Sequence, residues 1–88
     1  SVRMLTKVTP AQARELNAAI RDRAYTLCAE RYMLHAEEDV RRAIRKSLKA
    51  TCGMSTVRDL PRCDFEIALR TVRMWDDYGY MIKLMKGR

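Results

Sequence analysis

Cys28, His35, Cys52 and Cys63 are the residues of this chain best equipped for chemistry, because thiolates and an imidazole can together close a tetrahedral zinc site. Their spacing argues against one. Zinc ligands come in close pairs that share a turn, and none of these four has another within one turn. The single histidine has no cysteine or serine beside it in a recognisable nucleophile motif, and the acids fall where helix caps and surface pairs want them. We therefore expect no enzyme, no metal and no cofactor. An odd cysteine count without a Cys-x-x-Cys pair argues against a disulfide framework and for reduced thiols in a cytosolic protein.

What remains is surface. Eighteen basic and eleven acidic residues give a net charge of +7, which invites a nucleic-acid reading because clustered Lys and Arg release counterions from phosphate. Along the chain the charge is even: residues 1–34, 35–60 and 61–88 each hold six bases, against three, four and four acids. Arg41, Arg42, Arg45, Lys46 and Lys49 form the one basic run, but beside it only Ser47 and Thr51 can address base edges. Direct nucleic-acid binding stands as the alternative to a protein partner. The apolar end is the sharper feature. Tyr78, Tyr80, Met81, Ile82, Leu84 and Met85 are large groups that a small core need not bury in full, and Tyr and Met favour adaptable protein contacts.

These side chains are carried on helices. After Pro10 the chain runs to Cys52 with no Gly or Pro and is dense in Ala, Leu, Arg, Glu and Lys, so it forms either one very long helix or two folded back. Thr9 and Gln12 make a capping box around Pro10, which suits the first helical position. Residues 1–8 read as a flexible, extended arm, and 9–88 as one domain. On the first helix Ala13, Leu16, Ile20, Ala24, Leu27 and Leu34 make one apolar line, and Tyr25, Cys28 and Tyr32 a second. Two lines suggest two contacts, and we assign Leu16, Ile20, Leu27 and Leu34 to self-association.

Glu37, Glu38 and Asp39 fit the first turn of a new helix, where the macrodipole favours acids. Pairing of Glu37 with Arg41 and of Glu38 with Arg42 is expected, with Val40, Ala43, Ile44, Ser47 and Leu48 on the opposite face. Gly53 ends this helix in a left-handed conformation. A connector from Met54 to Pro61, pinned by Val57 and Leu60, leads to a third helix starting between Pro61 and Asp64, with the stripe Phe65, Ala68, Leu69, Val72 and Trp75 or Asp76. Gly79 is expected to break or kink it, leaving an apolar, basic tail. No apolar run approaches the roughly 20 residues that span a bilayer, so no membrane is expected.

The order of these signals resembles a known family. A long helix with Arg23-x-Tyr25-x-Leu27, a second ending Leu48-Lys49, then Gly53-x-Ser55, Asp59-Leu60-Pro61 and Asp64-Phe65-x-x-Ala68-Leu69 with Trp75 is similar to the C-terminal domain of temperate-phage antirepressors and of Rha- or BRO-like regulators. The resemblance spans Thr9 to Tyr78 and rests on this order rather than on one diagnostic motif. In longer members a DNA-binding or regulatory domain precedes this module. The resemblance implies a break near His35 and a short stand-alone antirepressor in the cytoplasm of a bacterial host, which binds a phage repressor protein and lifts it from operator DNA. As part of a longer chain, the module would instead serve oligomerisation of a transcription regulator.

The expectation is thus an all-α domain of three main helices: a long N-terminal helix, a second folded back, and a third followed by the apolar tail. It is expected to be a homo-oligomer, dimeric or tetrameric. The resemblance supplies no list of contact residues. From surface chemistry we expect Trp75, Tyr78, Tyr80, Met81 and Leu84 to meet the partner, with Arg41, Arg42 and Arg45 as rim charges.

Overall fold

The computed structural model describes residues 6–87, and these are all-helical apart from turns and one isolated bridge. Helix α1 spans Pro10–Glu30, α2 Glu37–Cys52, α3 Phe65–Met74 and α4 Tyr78–Lys86. Single 3-10 turns at Leu34–Ala36, Val57–Asp59 and Arg62–Asp64 occupy the connections. The run from Pro10 to Cys52 is therefore a hairpin of two helices.

Local chemistry explains each boundary. Thr9 accepts from the Gln12 amide at 3.1 Å while the Gln12 side chain accepts from the Thr9 amide at 2.9 Å, which is the expected reciprocal box. Such a cap contributes about 1 kcal/mol. At the other end of α1 the Met33 amide donates to the Cys28 carbonyl at 2.9 Å and the Tyr32 amide to that of Ala29 at 3.3 Å. That is a Schellman closure with Tyr32, not glycine, in the left-handed position at φ 55°. Met33 and Cys28 are both buried, supplying its usual apolar contact. The break thus falls slightly before His35. Glu37, Glu38 and Asp39 form the first turn of α2, and Gly53 closes it at φ 69°. The pairs on α2 are Glu38 with Arg41 and Asp39 with Arg42, at i, i+3 spacing rather than the expected i, i+4.

The core is built from one stripe on each element. Ala13, Leu16, Ile20, Ala24 and Leu27 of α1 meet Val40, Ile44 and Leu48 of α2 and Phe65, Ala68, Leu69 and Val72 of α3, with Met54, Val57 and Leu60 closing one end. Two corrections follow. Leu16 and Ile20 are fully buried and Leu27 is nearly so, because α1 spends this line on its own domain. They have no area left for a second copy, so the assignment of self-association to them fails; Leu34 alone of the four is exposed.

The second correction concerns the tail. Helix α3 ends at Trp75, where the backbone turns extended, and Asp77 caps a fourth helix by accepting from the Tyr80 amide at 3.0 Å. Gly79 lies inside that helix. The breaker is the Asp76-Asp77 pair, whose side chains favour caps over helix interiors.

Of the expected arm, residues 1–5 lie outside the described residues. Thr6 to Val8 is extended but tied down: the Val8 amide donates to the Leu60 carbonyl at 3.0 Å and the Arg62 amide to that of Thr6 at 2.8 Å. Lys7 pairs with Asp59 at 2.9 Å. The Lys7 hydrogen bond, then that of Thr56, holds the Asp59 carboxyl below its ordinary range.

Candidate functional site

Trp75 is a joint between helices rather than a contact residue. Its indole Nε1 donates to Ser47 Oγ on α2 at 3.0 Å, and its carbonyl accepts from Arg23 Nε on α1 at 2.8 Å. The C-terminus of α3 is thereby capped by α1 and stapled to α2 through one residue, which is only 9% exposed. Met81 is also removed from the expected contact set, being fully buried as the apolar anchor of α4. Tyr80 and Leu84 pack against the core with part of each side chain outside. The Tyr80 hydroxyl reaches the Asp39 carbonyl at a long 3.4 Å. Tyr78 is the one of the five that stands free, 67% exposed.

The three arginines divide as well. Arg41 is half-buried and paired with Glu38, with its Nε buried and unpartnered among the described residues. Arg42 is exposed and pairs with Asp39 at 3.3 Å. Arg45 is exposed and has no ion pair or hydrogen bond among the described residues, and it faces the connector rather than the tyrosines.

An apolar end emerges that the residue pattern had only half indicated. The short turn between α1 and α2 brings the close of the one beside the opening of the other, and the Tyr80 hydroxyl brings the start of α4 to Asp39 there. On these elements and the turn between α1 and α2, Tyr25, Tyr32, Leu34, Tyr78 and Met85 are exposed, Tyr32 almost completely at 95%. Tyr25 and Tyr32 belong to the second apolar line of α1, whose third member, Cys28, turns into the core. Met74, at the close of α3, was given no role by the sequence pattern and is 73% exposed.

The cysteines and histidine do not gather. Cys28 is buried, Cys52 half-buried and Cys63 exposed, and among the described residues no three His, Cys, Asp or Glu side chains are grouped to hold a metal ion. Burial, and then Glu37, pushes the Cys28 thiol up; burial, and then Asp64, does the same for Cys52. Both are protonated at neutral pH, the form that neither attacks nor ligates.

Charge is where folding changes the picture most. The antiparallel hairpin sets the opening of α1 beside the close of α2 and the connector. Residues 6–17 and 45–63 together hold seven bases and two acids, whereas residues 21–42 hold five of each. The even charge of the sequence is therefore a basic pole at one end and a balanced surface around the tyrosines. Asp64 and Glu66, at the opening of α3, reduce the excess at the pole without cancelling it. Among the described residues no helix is long and apolar enough to cross a membrane.

No family model, no curated protein and no solved structure matches this chain.

Proposed function

We propose that this protein is a phage antirepressor, which binds a prophage helix-turn-helix repressor through its apolar end and keeps it from operator DNA, favouring lytic induction in the bacterial host cytoplasm. The observation that carries the reading is the exposure of Tyr78 and Tyr32, joined to the antirepressor-like order of residues from Thr9 to Tyr78. Exposed Tyr and Met beside balanced charge are the ingredients of a protein contact, and the interface needs no chemistry beyond binding.

Tyr78 is the proposed anchor, flanked by the outer edges of Tyr80 and Leu84, with Arg42 at the rim. Trp75 and Met81 act from behind by fixing where α3 ends and α4 sits. Self-association into a dimer or tetramer remains part of the proposal, because two copies could engage two repressor subunits and impose a spacing no operator matches.

The test is a titration of this protein into a complex of operator DNA with the repressor encoded beside its gene, at 200 mM salt. Free operator should appear, and calorimetry without DNA should show this protein binding the repressor. Tyr78→Ala should weaken both by tenfold or more, as expected for a central aromatic worth about 2 kcal/mol, while circular dichroism stays unchanged. Unaltered potency of Tyr78→Ala would move the contact off α4; no binding to the repressor without DNA would refute the function.

A further inference from the structure

We infer that the basic pole is a separate docking surface for the phosphate backbone of duplex DNA, with Arg14, Arg45 and Arg58 as its principal contacts. The three come from α1, α2 and the connector, and all are exposed. Among the described residues none has an ion pair or hydrogen bond that holds its guanidinium, unlike Arg23, Arg31, Arg41 and Arg42. They line two adjoining depressions of about 450 and 410 Å³ that share Asn17 and Arg58 as a common wall, each roomy enough for a hydrated phosphodiester. Ser55 and Thr56 add hydroxyls, and no carboxylate lines either depression.

What separates a nucleic-acid backbone from an acidic protein here is the absence of an anchor. Protein interfaces concentrate their energy in buried aromatic and apolar groups. Within segments 6–17 and 45–63 no large hydrophobic is exposed among the described residues: Met54 and Val57, which floor one depression, are themselves buried, and Ile67, on the opening turns of α3, is the nearest exposed one in the chain. Exposed charge over a buried apolar floor suits phosphate, which rewards neutralisation and counterion release rather than packing. The same absence decides between duplex and single strand, since single-strand binders stack bases on aromatic rings and the tyrosines sit at the other end. A duplex offers the denser charge, and the contact reads backbone, not sequence.

Fluorescence anisotropy with a labelled duplex of arbitrary sequence tests this, between 50 and 200 mM salt. Neutralising three phosphates gives a log-log slope of about −2.7, roughly a 40-fold loss over that range. Arg14→Gln, Arg45→Gln and Arg58→Gln should each flatten the slope by about one, with unchanged circular dichroism. Arg73→Gln, in the groove that also holds Glu15 and Asp22, should change affinity less than twofold.

Absence of binding at 50 mM salt, or a slope indifferent to the three substitutions, would overturn the inference. So would tighter binding to a single strand of the same length, or equal competition by polyglutamate, which would mark the pole as a site for acidic protein. Tyr78→Ala should leave this binding intact and Arg58→Gln should leave repressor binding intact, so the two surfaces stand or fall separately.

Discussion

At Tyr32 a left-handed backbone places a β-carbon where only glycine sits without strain, at a cost of about 1–2 kcal/mol. Its ring recovers almost nothing by packing, because it is 95% exposed. Tyr32→Gly should therefore raise stability by on the order of 1 kcal/mol after the entropy of the glycine is subtracted, a rise in Tm of about 4–8 °C for a domain of this size. If the ring belongs to the repressor contact, the same variant should bind the repressor more weakly. A lower Tm would mean that the Schellman closure does not hold this residue. Tyr32 also shows what a residue pattern conceals: the usual sign of a helix end is glycine, and here the end is made by hydrogen bonds between backbone atoms. The opposite case is Thr9, whose partner lies three positions away and is legible directly.

At the scale of elements, helix α4 is the clearest departure from expectation. Gly79 reads as a breaker, yet Asp77 starts a new helix before it and Gly79 occupies the first turn of that helix. A β-carbon there would meet nothing closer than Asp77 Oδ1 at 3.7 Å. Gly79→Ala should thus stabilise the protein by about 0.5–1 kcal/mol, seen as a higher denaturation midpoint with equal or greater helicity. A broken helix at Gly79 would give the reverse. The stripe from Phe65 through Val72 was readable because a core-facing helix repeats every three to four residues. Its end was not, since Trp75 closes α3 with bonds to Arg23 and Ser47, far away in sequence.

For the molecule as a whole, the question is how much of α1 is left for another copy. Ile20 lies at the centre of the core, fully buried. Ile20→Ala should cost about 2–5 kcal/mol of folding stability, measured by denaturant titration, and light scattering at native temperature should show no separate loss of mass before unfolding. Dissociation of a still folded chain would restore α1 as the self-association helix. With this line of α1 spent, a contact between copies is left the exposed tyrosines, Tyr25 of α1 among them, Leu34, or other exposed surface. The molecule measures 48 × 21 × 17 Å, long enough to hold the apolar end apart from the basic pole.

The amino-acid sequence alone determined an all-helical chain, the box that opens α1, the glycine that closes α2 and the apolar stripes of α1, α2 and α3. All of these depend on residues within about four positions of each other, where helix geometry makes spacing equivalent to proximity. Tertiary structure decided which apolar line became core, that Trp75 and Met81 turned inward, and that an even string of charges became a pole. Those outcomes depend on which distant segments lie side by side. The hairpin sets that adjacency by burying Leu16, Ile20, Ile44 and Leu48 together, and no local spacing encodes it.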